Sequence, residues 1–349
     1  MSKKEKTKFR YNNYDTNDAG IMFLLALVLP QFLMALALLI CSYATGLSFV
    51  ATEEGQQTFM DVYPTIYTLI CALVPQISML LGFFFVSERK KVNYVKANQI
   101  HIKKLNWLLL LIVLSVGIIC MLGFSPFVSW FDGLVAKWGY TSSVSNIDVS
   151  SVGKLFGTFF YVALVPAICE ELVFRGVITN GIKQHGLKTA VLLSAVLFAL
   201  MHLNLQQFFY QLFLGGVMAY IVLKTGNILY TMLLHFFNNF VILLNNHING
   251  EVGLTFDYSN AWHNIWPILL VILTVAIVVG LLFLMNYVLK KQSDKNKCQC
   301  ENPISSDSNT QKSEKNYSPK AIFKNPYFVT ALVAGILLWI FSIVTNFVG

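Results

Sequence analysis

Nine long runs of apolar residues dominate this 349-residue chain. A helix needs about 20 apolar residues to cross a hydrocarbon core of about 30 Å. The strands of a membrane β-barrel would instead alternate apolar and polar residues over about ten positions, whereas these runs are apolar on every side. The pattern therefore predicts an all-α, polytopic membrane helix bundle, with spans near residues 20–43, 63–87, 105–124, 155–181, 189–203, 208–224, 228–245, 264–289 and 327–348.

Charged residues make up 12% of the chain and hydrophobic residues 56%, which excludes a water-soluble globular surface. If the N-terminus is cytoplasmic and the spans alternate, all of the 25 Lys and Arg residues except Lys137 and Lys154 fall at cytoplasmic ends. The positive-inside rule then predicts a multi-pass protein of the cell membrane with its C-terminus outside. The net charge of +8 follows from this topology and from contact with the lipid bilayer, so it does not indicate a nucleic-acid partner.

Composition divides the chain into four parts. Residues 1–18 are polar and predict a cytoplasmic tail, and residues 19–290 hold eight of the apolar runs. Residues 291–326 are mostly Lys, Ser, Asn and other polar types, which favours a disordered cytoplasmic linker. Residues 327–349 form the ninth run. The predicted architecture is therefore an eight-helix core plus one appended C-terminal transmembrane helix.

Ionisable groups inside a membrane cost at least about 2.5 kcal/mol each on insertion scales, so each indicates a function. The fourth run contains Glu170, Glu171 and Arg175. Glu171 and Arg175 are four residues apart and share one helix face, which predicts a structural ion pair. Glu170 lies about 100° around the helix from Glu171, so its carboxylate is free for chemistry.

Two further runs carry polar residues at helical spacing. Phe198 and His202 share one face of the fifth run, and His235 and Asn239 share one face of the seventh, with Asn238 nearly aligned. At 1.5 Å per residue, Glu170, His202 and His235 lie about 12 to 21 Å from the predicted cytoplasmic ends of their helices. These depths predict that the three side chains converge near the middle of the membrane.

In their order and spacing, these motifs resemble the CPBP family of intramembrane peptidases, also called the CAAX protease and bacteriocin-processing or Abi family. The motif core covers residues 154–250, and the matching positions are Glu170, Glu171, Arg175, Phe198, His202, His235 and Asn239. The resemblance implies a glutamic or metallo-endopeptidase in which Glu170 and His202 activate a water while His235 and Asn239 stabilise the oxyanion.

A metal-dependent alternative is a catalytic zinc held by Glu170, His202 and His235, since two histidines and one glutamate are a sufficient ligand set. No His-Glu-x-x-His helix requires zinc, so we favour chemistry without a cofactor.

The resemblance also implies a peptide or lipidated protein substrate: a CAAX-type prenylated C-terminus, a bacteriocin leader or a peptide pheromone precursor. Family members that have lost the motif residues act as non-proteolytic scaffolds, so a membrane scaffold or bacteriocin-immunity protein is the main alternative. A transporter is a weaker one, because the chain shows no internal repeat.

Overall fold

The computed structural model of the chain describes residues 12–47, 53–102, 105–140, 148–249, 257–299 and 317–348. These residues form helices and no β-strand, which confirms the predicted all-α class. The helices are α1 (Thr16–Thr45), α2 (Glu53–Val62), α3 (Pro64–Lys90), α4 (Tyr94–Ala97), α5 (Trp107–Lys137), α6 (Val152–His185), α7 (Leu187–Met201), α8 (Leu205–Thr225), α9 (Leu229–Asn249), α10 (Ala261–Gln299) and α11 (Pro326–Val348), with a short 3₁₀ helix at Pro319–Lys324.

Each predicted apolar run corresponds to a helix, and in the described part of the chain seven helices are long and apolar enough to cross a membrane. These are α1, α3, α5, α6, α8, α10 and α11, so the protein is a multi-pass membrane protein. Two helices that correspond to predicted runs, α7 and α9, do not meet this criterion. α7 has 15 residues and is about 22 Å long, and α9 carries His235, Asn238 and Asn239 on its length. Both pack inside the bundle, where the polar side chains of α9 find partners.

Two predicted boundaries differ from the structure. α1 already begins at Thr16, and Asp15 caps it by accepting from the backbone N–H groups of Asn17 and Asp18, so only residues 1–11 of the predicted tail lie outside the described residues. At the other end, α10 continues to Gln299 instead of ending near 290, because adding residues to an existing helix does not repeat the cost of nucleation. Residues 300–316 of the predicted linker lie outside the described residues, and its disorder stays a prediction.

Acidic groups at the start of α1 bind basic groups at the end of α3. Arg89 lies 2.6 Å from Asp18, and Lys90 pairs with both Asp15 and Asp18. Burial acts to raise the pKa of Asp15, but its hydrogen bonds with Lys90 and with the backbone N–H groups of Asp18 and Asn17, together with the charge of Lys90, outweigh burial, so this pKa lies below its ordinary value. The contact joins α1 to α3 at the end of the bundle where the basic residues cluster.

The C-terminal helix α11 is an integral part of the bundle. A Cβ placed on Gly20 of α1 would lie 2.6 Å from the backbone of Phe328, so this glycine permits the two helices to approach closely. Trp339 packs on Phe208 with ring centroids 4.7 Å apart. Ser342 donates a hydrogen bond of 2.6 Å to the carbonyl of Leu203, in the turn between α7 and α8. The helix predicted as an appendage therefore supports the turn that follows His202.

Candidate active site

Helix α6 is interrupted by two π-helical segments. They cover Phe159–Leu164 and Leu172–Thr179, and they flank the α-helical segment Val165–Glu171. Pro166 lies in the first turn of that segment, where it has no N–H to donate to an earlier carbonyl. π turns inside α-helices are rare and occur frequently at functional sites. Here they bracket the two adjacent glutamates.

Glu171 and Arg175 form an ion pair inside the bundle. Arg175 Nη1 lies 2.6 Å from Glu171 Oε1, and both side chains are fully buried. Arg175 Nη2 also donates to the carbonyl of Gly215 at 3.3 Å, and the guanidinium lies 4.4 Å above the ring of Phe198. The buried positive charge is therefore held by a carboxylate, a carbonyl and an aromatic face.

His235 connects the two glutamates. Its Nδ1 donates to Glu171 Oε1 at 3.1 Å, because the carboxylate can only accept, and its Nε2 lies 3.9 Å from Glu170 Oε2. A carboxylate that binds one ring nitrogen fixes the orientation and tautomer of a histidine. Glu171 thus directs the second nitrogen of His235 toward Glu170.

Glu170 presents one carboxylate oxygen without a partner. Its Oε1 accepts a hydrogen bond of 3.3 Å from Gln76 Nε2, whereas its buried Oε2 makes no hydrogen bond to any described residue. Gln76 is absent from the residues that the sequence singled out. The only signal for it is a polar side chain beside Pro75 within an apolar run. The two neighbouring glutamates have different environments, as expected from their different helix faces.

His202 follows the last residue of α7 and is held by that helix. Its Nδ1 donates to the carbonyl of Phe198 at 2.8 Å, since a carbonyl oxygen can only accept, and its ring packs on the Phe198 ring with centroids 4.8 Å apart. The remaining nitrogen, Nε2, is then the atom of His202 that is available to a ligand. In both histidines Nδ1 makes a hydrogen bond, with the carbonyl of Phe198 in His202 and with the carboxylate of Glu171 in His235.

Phe198 is fully buried where these groups meet. It contacts the guanidinium of Arg175 and the rings of His202 and His235. A Cβ on Gly215 would lie 3.0 Å from the Phe198 ring, so α8 makes room for this side chain by carrying glycine. Phe198 therefore packs between these groups, and its position sets the spacing between the ion pair and the histidines.

The asparagines of α9 are held by specific partners. Asn239 Nδ2 donates to the carbonyl of Val162 at 3.2 Å, in the first π segment of α6, and its Oδ1 accepts from Asn238 Nδ2 at 3.3 Å. Tyr210 Oη donates to Asn238 Oδ1. Each amide has two N–H bonds, so one on each remains beyond these contacts. Tyr210 was not predicted, because nothing in its local sequence distinguishes it from the other aromatic residues.

A cavity of about 1440 Å³ joins these groups. Its lining includes Glu170, His202, His235, Asn238 and Asn239, so the predicted catalytic residues face one space, together with Gln76 and Tyr210. Glu171, Arg175 and Phe198 lie behind this wall. The arrangement offers a carboxylate oxygen, two imidazole nitrogens and amide N–H groups to a bound molecule.

The alternative zinc site requires three ligands at about 2.0 to 2.2 Å from one point. Within the described residues, no group of three His, Cys, Asp or Glu side chains has a geometry that could hold a metal ion. Glu170, His202 and His235 therefore do not fit zinc in this arrangement, and no step of the chemistry below uses a metal.

Comparison with known proteins agrees with this geometry. Residues 152–241 match the family described as type II CAAX prenyl endopeptidase Rce1-like, a segment that runs from the start of α6 into α9 and includes every predicted catalytic residue. No curated protein and no solved structure matches the chain. Over residues 152–241, about a quarter of the chain, this match supports similarity to the CAAX protease (CPBP) group of peptide hydrolases.

Proposed function

We propose that this protein is an intramembrane endopeptidase that hydrolyses a peptide bond of a membrane-associated or lipidated peptide through a water activated by Glu170 and His202. The observation that carries the proposal is the unpartnered Oε2 of Glu170, which lies 3.9 Å from His235 Nε2 on the wall of a large cavity. Glu171 also has an unpartnered Oε2, but only Glu170 lies on the cavity wall, where a bound water or substrate can supply the missing hydrogen bond.

In the proposed reaction, Glu170 Oε2 is the general base. It takes one proton from a water molecule, and the second hydrogen of that water is donated to His202 Nε2. The resulting hydroxide attacks the peptide carbonyl carbon. Glu170 then transfers the proton to the leaving amine, so the carboxylate is regenerated. Gln76 holds the other oxygen of Glu170 and thereby orients the reacting one.

The negative charge on the carbonyl oxygen needs donors that are already in place. His235 provides one if it is protonated, because its Nδ1–H is bonded to Glu171 and its Nε2–H then faces the cavity. The free N–H of Asn239 is a second donor, and that of Asn238 is a third.

The substrate classes that fit the family are a CAAX-type C-terminus, a bacteriocin leader and a peptide pheromone precursor. The cavity exceeds the roughly 300–1,000 Å³ typical of drug-sized ligands, which supports an extended peptide as occupant over an ion or a small solute. The same cavity volume argues against the transporter alternative, in which the occupant would be an ion or a small solute.

The test compares membrane and secreted peptides from cells that make the intact chain with those from cells that make Glu170→Gln. We expect at least one peptide to be released only by the intact protein, while both proteins reach the membrane in equal amounts. Glu88→Gln is the matched control, because Glu88 is a carboxylate at the end of α3 outside the cavity lining. An unchanged set of peptides with an unchanged biological effect would instead favour the non-proteolytic scaffold.

A further inference from the structure

The cavity occupies one half of the bundle only. Its lining begins near the middle of the helices, at Gln76, Glu170 and His235, and continues to the start of α3 and α6 and to the end of α9. At that end the lining includes Asp148, Lys154, Asn245 and Asn246, which we call the mouth. Asp148 and Lys154 are both more than half exposed, so the cavity reaches the surface at the mouth.

The opposite half of the bundle is tightly packed. Behind Glu170, the side chains of Glu171, Arg175 and Phe198 are fully buried, and so are the apolar side chains of the next turns, Val177, Ile178, Ile182 and Leu197. A Cβ on Gly176 would lie 2.4 Å from the Asn98 side chain, which shows how closely the segment after α4 packs on α6. This layer separates Glu170 from the other end of the helices.

Polar contacts hold this packed layer together at the end of the bundle opposite the mouth. Asn180 donates to the carbonyls of Gly176 and Ala97 and accepts from Gln99 at 2.7 Å, and Gln99 in turn accepts from the backbone N–H of Ile228. Asn227 donates to the carbonyl of His101. The segment between α3 and α5 is therefore bonded to α6 and to the start of α9.

The distribution of Lys and Arg residues indicates which end of the bundle is cytoplasmic and which is on the outer side of the membrane. The sealed end carries the end of α3 with Arg89 and Lys90, the end of α6 with Lys183 and the end of α8 with Lys224. Lys154 is one of the two basic residues that the positive-inside pattern leaves outside the cytoplasm, and it lies at the mouth. Clusters of Lys and Arg mark the cytoplasmic ends of membrane helices. The mouth is therefore on the opposite, outer side.

We infer that the active-site cavity receives its substrate from the outer face of the membrane, as an extended peptide that enters at the mouth and reaches Glu170. The inference rests on the proposed peptidase function for the identity of the occupant, while the side of access follows from packing and charge alone. A substrate that is confined to the cytoplasm cannot reach Glu170 without first crossing the bilayer.

The test uses a membrane-impermeant, sulfonated maleimide on intact spheroplasts that make the full chain. Asn246→Cys places a thiol at the mouth, and Lys96→Cys, on α4, is the matched control at the sealed end. We expect Asn246→Cys to be labelled in intact spheroplasts and Lys96→Cys only after the membrane is opened, each relative to the parent chain with its native cysteines. Labelling of Asn246→Cys only in opened membranes would overturn the inference.

The second measurement asks whether the mouth leads to the reacting carboxylate. Labelling Asn246→Cys from outside is expected to abolish the release of those peptides that depend on Glu170, whereas labelling Lys96→Cys after opening leaves it unchanged. Ser129→Cys, also on the cavity wall, replaces Asn246→Cys if that variant does not reach the membrane. Release that continues after the mouth is blocked would overturn the route. If no peptide depends on Glu170, the peptidase proposal fails, and the labelling pattern still decides the side of access.

Discussion

His235 donates to Glu171 at 3.1 Å, and Glu171 in turn binds Arg175 at 2.6 Å, so the carboxylate that neutralises the buried arginine also orients the histidine. The neighbouring Glu170 makes neither the contact with Arg175 nor the contact with Nδ1 of His235. Glu170 binds Gln76 through one oxygen and turns the other toward the cavity. Two adjacent residues of the same type thus have separate roles, which substitution can distinguish.

Glu170→Gln is expected to reduce peptide release by at least about 100-fold, because it removes the general base, while thermal unfolding in detergent changes little. Glu171→Gln is expected to lower the free energy of unfolding by about 3 kcal/mol or more, because it leaves the buried charge of Arg175 without a counterion. Thermal unfolding and peptide release measured on both variants separate these effects. Equal stability of the two variants would contradict the division of roles.

Gln76→Leu is expected to lower the turnover number about tenfold and to leave the Michaelis constant almost unchanged. The substitution removes one hydrogen bond to a charged carboxylate, which is worth about 1.5 kcal/mol. Single-turnover and steady-state kinetics with a released peptide as substrate would measure the two constants. A rise in the Michaelis constant alone would show that Gln76 contacts the substrate instead of orienting Glu170.

Gly215→Ala is expected to destabilise the protein by about 1 kcal/mol, because its Cβ would lie 3.0 Å from Phe198 in a packed interior. Gly216→Ala is the matched control. Its nearest contact would be an ordinary 3.4 Å to Ala195, and alanine at a helical position is favoured over glycine by about 0.5 to 1 kcal/mol. The midpoints of thermal unfolding are therefore expected to shift in opposite directions, and a common shift would argue against crowding at Phe198.

Ser342→Ala removes the hydrogen bond from α11 to the carbonyl of Leu203. Leu203 has a φ of +49°, in the left-handed region, and it follows His202 directly. We expect a loss of about 1 kcal/mol in stability together with reduced peptide release, because the turn that positions His202 becomes less constrained. Thr345→Ala, which affects only contacts within α11, is the control and is expected to retain full release.

Acid is expected to weaken the contact between α1 and α3. Because the pKa of Asp15 is lower in the folded protein than in the unfolded chain, its contribution to stability is present above the unfolded pKa, about 3.9, and is lost as the pH falls through the folded value. Asp15→Asn is expected to be less stable than the parent at pH 7, with a smaller further loss between pH 5 and pH 2. Thermal unfolding of both proteins across this range provides the measurement, and parallel curves would contradict the assignment.

Sequence periodicity predicted the fold class and the location of the nine long apolar helices in the described part of the chain, because a lipid environment leaves so few ways to satisfy backbone groups. Helix ends were less predictable. Asp15 and the polar residues beyond Lys291 have the composition of a tail and a linker, yet Asp15 caps α1, and α10 extends through residues 291–299.

For the candidate site, local spacing was informative only within one helix. It placed Glu171 with Arg175 and separated Glu170 from both. It could not supply Gln76, which is 94 residues from Glu170, or Tyr210, because only packing brings α3 and α8 to the same cavity. The partner of Asn239 was equally hidden, since the carbonyl of Val162 lies in a π turn that apolar composition does not reveal.

The π turns of α6 also affect how this chain is to be compared with its relatives. A π turn arises when a helix accommodates one additional residue, so the helix beyond it is rotated by about 100° relative to an uninterrupted α-helix. A relative that lacks one residue between 172 and 179 would therefore present the same side of α6 after that point as an uninterrupted α-helix, whereas a relative of equal length without the π turn would present a different side. In an alignment, a single-residue gap there would mark a relative in which α6 continues without this π turn and still presents both glutamates and the following residues on the same sides of the helix.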